Sequence, residues 1–315
     1  MLKPLLRQAV ALSCASLAFN ALAYDLPGMN LGLTSFYDGS PAPDGPGWYV
    51  EEYLAYSRAT RFNDASGNKL PLPKQTLEIF APTTQLIYLG QPLANGANLG
   101  VTAILPALAH VDVDDGLNNA ALSAREGFSD LTLGAFVQLP TIMTPQGGPR
   151  LTQRVELDVV LPTGAYDRDK SISPGSNFWS VEPYYAATVW ATPQWSFSGR
   201  FMYRWNGKND DPLTSFGDVS DTQAGQALHA NLTTQYALTP QLSLGINGYW
   251  LKQITDTRID GSEVSGRKEK VWAIGPGLVY AFSPKNVLTL NAYFEQDAEN
   301  RTEGDKLVLN FLHKL

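Results

Sequence analysis

Between Gln194 and Asn206 the odd positions read Trp195, Phe197, Gly199, Phe201, Tyr203 and Trp205, while the even ones read Ser196, Ser198, Arg200, Met202 and Arg204. Side chains of a β-strand alternate between its two faces, so this segment presents one face to an apolar medium and the other to water. Leu151 to Leu161 repeats the pattern, with Val155, Leu157, Val159 and Leu161 set against Thr152, Arg154, Glu156 and Asp158. A chain built of such strands has two ways to hide its apolar face: a soluble sandwich, or a barrel whose outside is lipid.

A repeat decides the unit of assembly. Thr-Pro-Gln occurs at Thr144-Pro145-Gln146, Thr192-Pro193-Gln194 and Thr239-Pro240-Gln241, and Ser283-Pro284-Lys285 follows, so the prolines are 48, 47 and 44 residues apart. A period of that length also suits solenoids and propeller blades. The content between the prolines is alternating runs of about ten residues, the length of a tilted strand crossing a bilayer. Each repeat therefore reads as one hairpin of a transmembrane barrel.

Three features favour lipid over a sandwich core. Trp190, Trp195, Trp205, Tyr249, Trp250 and Trp272 cluster at strand ends, where interfacial girdles lie. Connections alternate short and long. The final segment places Leu307, Leu309, Phe311, His313 and Leu315 on one face. Twelve strands are expected, at about 48–60, 75–89, 98–112, 128–139, 151–162, 178–191, 194–206, 226–238, 241–254, 271–283, 286–297 and 305–315. The fold class is thus all-β, an antiparallel transmembrane β-barrel of about 12 strands, with short periplasmic turns, long outer loops and both termini in the periplasm. Pro82, Pro106, Pro183 and Pro276 fall inside these strands and predict bulges or local ladder interruptions there.

The start of the chain reads as an export signal over residues 1–23. Lys3 and Arg7 precede an apolar run from Ala9 to Phe19, and Ala21-Leu22-Ala23 forms an A-x-A cleavage site, so Tyr24 begins the expected mature chain. Cys14, the single cysteine, leaves with it. Disulfides and thiolate metal sites are then excluded. The formal charge moves from −7 to −9, because residues 1–23 hold two bases and no acid, which argues against nucleic-acid binding. Residues 24–47, rich in Pro and Gly, lack strand patterning and read as a periplasmic tail or a small plug; residues 48–315 form the barrel.

Parity assigns Arg154, Glu156, Asp158, Glu182, Arg200, Arg204 and His229 to the lumen, joined by Asn231 and Gln235 and by Glu78, Asp130, Asn247, Asn291 and Glu295. Unpaired charge in a narrow lumen is costly, so acids on the fifth and sixth strands are expected to satisfy bases on the seventh. Such residues make either a constriction that selects solutes or a salt-bridge network that fills the barrel. No catalytic residues are expected: an outer-membrane serine hydrolase built on His229 and the strand serines is a remote alternative that no local serine or histidine motif supports, and with His110, His229 and His313 separated neither a metal site nor a cofactor is expected. Acids at Asp112, Asp114 and Asp115, and at Asp210, Asp211, Asp218 and Asp221, read as loop surface rather than cation sites bridging lipopolysaccharide.

Ordered pieces of the chain also carry a resemblance. They are Gly45-Pro46-Gly47-Trp48-Tyr49 with Tyr53 and Tyr56; Asn63-Asp64 with Gly67; Gly127-Phe128-Ser129-Asp130; Leu161-Pro162-Thr163-Gly164-Ala165-Tyr166-Asp167; Asn177-Phe178-Trp179-Ser180-Val181-Glu182-Pro183; Gly245-Ile246-Asn247-Gly248-Tyr249-Trp250 with Gln253; and Ala273-Ile274-Gly275-Pro276. In these the chain resembles the outer-membrane family named for the MetA pathway of phenol degradation, which overlaps the SphA-like proteins. The resemblance implies an outer-membrane barrel that admits small hydrophobic or aromatic solutes, with no catalytic residues to carry over. The expected surroundings are outer-membrane lipid and lipopolysaccharide, and the expected state is a monomer. A largely sealed barrel that serves envelope integrity or binds amphiphiles such as sphingoid bases is the alternative.

Overall fold

The structure, a computed structural model, describes residues 25–315. The signal reading, with Cys14 and Tyr24, lies outside the described residues. Twelve long strands form the wall: β1 Gly47–Phe62, β2 Thr76–Pro92, β3 Asn98–Leu108, β4 Thr132–Gln138, β5 Pro149–Val160, β6 Ser180–Trp190, β7 Trp195–Asn206, β8 Ala227–Ala237, β9 Leu242–Gln253, β10 Lys270–Ser283, β11 Asn286–Glu299 and β12 Thr302–Lys314. Each pairs antiparallel with the next, and β12 closes on β1 from Tyr49 opposite Lys314 to Phe62 opposite Thr302. Closure leaves no sheet edge, so the wall strands satisfy their backbone groups by pairing with both neighbours, as a lipid-facing sheet must.

The recurrent Thr/Ser-Pro steps are the tight turns, and the hydroxyl explains why they recur. Thr192 Oγ1 accepts the Trp195 N–H at 3.0 Å, Thr239 Oγ1 accepts the Leu242 N–H at 3.0 Å, and Ser283 Oγ accepts the Lys285 N–H at 3.2 Å. The side chain replaces the ladder partner that the turn removes, while proline fixes the local backbone. These turns define one end of the barrel, the turn end. Most long connections gather at the opposite, loop end, where Lys208–Asn209, Thr222–Gln223, Thr257–Ile259 and Ser262–Val264 form a small separate sheet.

The expected long connection after the eleventh strand is not formed. Only Asn300 and Arg301 separate β11 from β12, and Asn300 has φ 50°. The polar run that reads as a loop is instead the top of the β11–β12 hairpin, still paired with the wall, with Glu299 opposite Lys270 of β10 and Thr302 opposite Phe62 of β1. Trp272 Nε1 donates to Asp297 Oδ2 at 3.0 Å, and the Ala298 N–H donates to Glu303 Oε2 at 3.0 Å.

Prolines act in two ways. Thr83 faces Pro106, yet Phe80, three residues back, faces His110, four residues on, so one extra residue lies beside Pro82 and Pro106, the bulge expected there. At Pro183 and Pro276 the register is unchanged and the ladder only lapses. Pairing runs from Met202–Tyr184 to Trp205–Val181, and from Ile274–Phe294 to Gly277–Asn291, with nothing paired between. A missing N–H removes a bond without adding a residue.

The outer face carries an aliphatic band that includes Leu54, Val101, Val155, Leu232, Ile246 and Ile274, each at least 40 % exposed. Trp48, Trp195 and Tyr236 flank it at the turn end, and Trp179, Trp205, Trp250 and Trp272 at the loop end. An apolar surface wrapped around a closed barrel is stable only in lipid. Two expected girdle members face inward instead: Tyr249 is 2 % exposed and donates to Glu295 Oε1 at 2.7 Å, and Trp190 stacks on Tyr37 with centroids 6.3 Å apart. Glu78, expected inside, alternates with inward Leu77 and Ile79 and pairs outside with Arg58 at 3.1 Å.

Candidate lumen site

Residues 25–46 run through the barrel lengthwise. At the loop end Asp25 meets Arg267 at 2.5 Å and accepts from Thr257 Oγ1 at 2.7 Å, and the Leu26 N–H donates to Glu269 Oε1 at 2.8 Å. Further down, the Gly32 N–H donates to Asn231 Oδ1 at 2.9 Å, and Asn291 Nδ2 donates to Ser35 Oγ at 2.9 Å. At the turn end Asp44 meets Lys314 at 2.9 Å. The first described residues therefore lie at the loop end, opposite to where a periplasmic terminus was expected.

Two glycines let this strap lie against the wall. Gly32 has φ +78°, and a Cβ on it would come within 2.7 Å of the Tyr293 ring. Gly39 also has φ +78°, and its Cβ would lie 2.4 Å from the Ala186 backbone. Any side chain here meets both backbone strain and a wall that cannot yield.

The seven expected lumen residues all point inward, at successive levels rather than in one ring. Nearest the turn end, Arg154 Nε donates to Gln138 Oε1 at 3.1 Å, and its guanidinium lies 4.3 Å from the Phe136 ring centroid. At mid-height Arg200 makes a bidentate pair with Asp38, at 2.9 Å from Nε and 2.8 Å from Nη2. Beside it Tyr184 donates to Glu156 Oε2. Toward the loop end Glu182 Oε2 accepts from Arg204 Nε at 2.6 Å and lies 2.9 Å from His229 Nε2. Asp158 stands directly across the ladder from Glu182.

The expected cross-strand neutralisation is thus only half realised. Glu182 and Arg204 pair across the ladder, though Arg204 Nη1 has no partner among the described residues, and the partner of Arg200 is Asp38 of the strap. Spacing in the wall strands carries no trace of that partner, because Asp38 sits in a segment without strand periodicity. Asn247 donates to Asn291 Oδ1 at 2.8 Å, and Gln235 is 1 % exposed, so these too face inward. Asp130 accepts N–H groups of Gly164 and Ser176 at 2.8 Å each and ties the outer loops to the cavity rim. His110 lies outside near Glu126 at 3.4 Å, and His313 lies 2.7 Å from Asn286 Oδ1 at the turn end.

Beside the strap lies a cavity of about 470 Å³, lined by β1 to β5 and also by Glu182 of β6, Arg200 and Arg204 of β7, Glu295 of β11 and Asp305 and Lys306 of β12. Its upper rim is formed by loop residues including Lys170, Pro174 and Phe216, and its deep end by Tyr53 and Gln85. One wall is apolar, with Ala55, Leu77, Ile79, Ala81, Ile104 and Val160. Below it Tyr49, Ile87, Leu89 and Phe136 pack with Ala42 of the strap and Leu312, which closes the turn end.

Among the outer-loop acids, Asp115 is fully buried and accepts four N–H groups, from Leu117 at 2.7 Å, Asn119 at 2.9 Å, Ala121 at 2.7 Å and Leu122 at 3.2 Å. Burial pushes its carboxyl up, but the N–H groups outweigh this and hold it below the usual aspartate value. Asp114 pairs with Lys74, Asp211 with Arg168 and Asp221 with Lys208, so these acids organise the loops.

Wall, girdles and strap define a twelve-stranded transmembrane β-barrel whose lumen is threaded by its own N-terminal segment. The chain belongs to the family described as "Putative MetA-pathway of phenol degradation", whose model matches residues 59–311. Among solved structures it is similar to the COG4313 outer membrane channel from Pseudomonas putida F1, with a TM-score of 0.75, 20 % identity, and 91 % of this chain and 100 % of that one covered. More distant matches are the Ralstonia pickettii toluene transporter TbuX, at TM-score 0.41 and 12 % identity with 86 % of this chain and 90 % of that one covered, and the CymD monoaromatic hydrocarbon channel, at 0.44 and 7 % with 86 % and 89 % covered. No curated protein matches the chain.

Proposed function

We propose that the protein is an outer-membrane channel for the uptake of small hydrophobic or aromatic solutes, exported by its N-terminal signal and acting as a monomer among outer-membrane lipid and lipopolysaccharide. The observation that carries this reading is the cavity of about 470 Å³ inside the barrel, rimmed by the outer loops and walled on one side by aliphatic residues. That volume falls within the roughly 300–1,000 Å³ of small-molecule sites, and a mostly apolar wall with a few polar groups is what such guests require. Membership in a family named for phenol degradation agrees with an aromatic guest. A solute reaches the floor at Tyr49, Ile87 and Phe136 and passes only when the strap moves, since Ala42 is part of that floor.

Solute uptake by cells with and without the protein, together with single-channel conductance of the refolded protein, tests this reading. Faster uptake of aromatic compounds and rare, discrete openings are expected; uptake that does not depend on the protein overturns it. The closed floor also favours a second reading, a sealed barrel that binds amphiphiles at the cell surface. Saturable binding without uptake is its signature.

A further inference from the structure

On the membrane-facing side of the wall, Arg58 meets Glu78 across the ladder and Arg61 meets Glu303, each at 3.1 Å. β9 and β10 do the reverse. Lys252 stands directly opposite Lys270, two residues further toward the loops than Trp250, which stands directly opposite Trp272. Leu251 and Val271 between them are fully buried on the lumen side, so both lysines and both tryptophans point outward. Facing Cβ atoms lie about 5 Å apart, and like charges so placed destabilise a sheet unless something neutralises them.

The protein's own acids answer this charge only in part. Lys270 donates to Glu299 at 2.7 Å on its far side, and Lys268, two residues away on the same strand end, meets Asp256 at 3.3 Å. Asp297, also close by, accepts from Trp272 Nε1 at 3.0 Å. The Lys252 side chain forms no ion pair or hydrogen bond among the described residues, and its other neighbour across the ladder is Leu228. Glu299 takes one of the three N–H groups of Lys270, so both lysines keep donors for a shared anion.

The position says which anion. Trp250 and Trp272 belong to the loop-end girdle, whose indoles mark the boundary between hydrocarbon and head groups. Two residues along a tilted strand add about 5 Å of height, so the ammonium groups stand at head-group level in the leaflet on the loop side. With the loops outside, that leaflet is made of lipopolysaccharide, whose phosphates sit on the sugars directly above the acyl chains.

We propose that Lys252 and Lys270, seated above the Trp250–Trp272 pair, form a docking site on the outer wall for one phosphate of the lipid A part of lipopolysaccharide. The phosphate bridges the two ammonium groups, the sugar rests over the indoles, and the acyl chains run down the aliphatic band past Ile274 and Ile246. The site rests on the outer-membrane placement with the loops outside, and not on what the lumen passes.

Native mass spectrometry of the purified full-length barrel in detergent tests this with added lipid A, dephosphorylated lipid A and phosphatidylglycerol. The wild type is expected to retain one lipid A and to hold the other two at least about tenfold more weakly. Lys252→Gln should weaken lipid A binding about fivefold, and Lys252→Gln combined with Lys270→Gln about thirtyfold, the worth of one and of two basic residues at an anionic surface. Lys252→Arg should bind as the wild type does, and so should Arg58→Gln, which removes an outward charge on β1. Heat-modifiable gel migration confirms a closed barrel in each variant, and Lys252 has no side-chain partner whose loss could disturb folding. Dephosphorylated lipid A or phosphatidylglycerol retained as tightly as lipid A, undiminished retention by the double variant, or an equal loss in Arg58→Gln overturns the site and leaves the lysines as general interfacial charge. None of these outcomes bears on solute uptake, which tests the channel reading by itself.

Discussion

Asp38 and Arg200 face one another inside the barrel, with both carboxylate oxygens on the guanidinium fork at 2.8 and 2.9 Å, and neither side chain reaches solvent freely. Arg200 comes from the wall and Asp38 from the strap, so this one pair ties the lumen filling to the barrel at mid-height. A bidentate pair of this kind is strong when formed, and removing one member strands the other charge in a poor solvent.

Arg200→Ala is therefore expected to loosen the strap by about 3–5 kcal/mol, the cost of an orphaned buried charge. Single-channel recordings should show longer or larger openings than the wild type. The exchanged double variant Asp38→Arg with Arg200→Asp should return toward wild-type behaviour. Unchanged recordings for Arg200→Ala would mean that the strap does not limit conduction.

Gly39→Ala tests the same strap without touching a charge. Its Cβ would lie 2.4 Å from the Ala186 backbone at a φ of +78°, so the segment must lift off β6. Gly28 has nothing within 4 Å of a built Cβ, and Gly28→Ala should behave as wild type. Increased conductance is expected for the first and none for the second, with barrel folding intact in both because no wall strand changes.

The wall was legible in the sequence because lipid and lumen impose opposite demands on alternate residues. Arg200, Arg204, Glu182 and His229 could be assigned inward from parity alone, and all four are. Failures fall where that period does not apply. Tyr249 and Trp190 read as girdle because aromatic residues at strand ends serve both faces, and only the Glu295 and Tyr37 contacts reveal which. The hairpin at Asn300 read as a loop because strands that leave the membrane become polar on both faces. The strap left only its glycines and prolines as a signal: Gly32 and Gly39 mark close approaches, but to walls far away in sequence.

Asp115 sets a pH limit on one outer loop. Its carboxyl lies below the ordinary value of 3.8, held there by N–H groups that outweigh the effect of burial. A depressed value means the charged form favours the folded loop, so the stabilisation is fully present above pH 3.8 and is lost as pH falls through the lower folded value. Hydrogen exchange at Leu117, Asn119, Ala121 and Leu122 should stay slow at neutral pH and speed up only in strong acid. Asp115→Ala should show fast exchange at all pH values. Protection in that variant equal to wild type would remove Asp115 as the organiser of the loop.

The position of Asp25 leads to a prediction about sidedness. The chain holds one cysteine, Cys14, within the expected signal, so a cysteine introduced later is a unique label site in the mature protein. Gly28 is exposed and lies near the Asp25–Arg267 pair at the loop end, whereas Pro43 is exposed next to Asp44 and Lys314 at the turn end. With loops outside and turns in the periplasm, Gly28→Cys should react in intact cells with a membrane-impermeant maleimide. Pro43→Cys should react only after the outer membrane is permeabilised. A reversed pattern would place the strap the other way up, and equal slow labelling at both sites would mean that the loops bury the upper end as firmly as the Tyr49 and Phe136 floor closes the lower one. Labelling of Gly28→Cys that rises when Arg200 is replaced by Ala would tie the two observations together, because a strap freed at mid-height exposes its upper end more often.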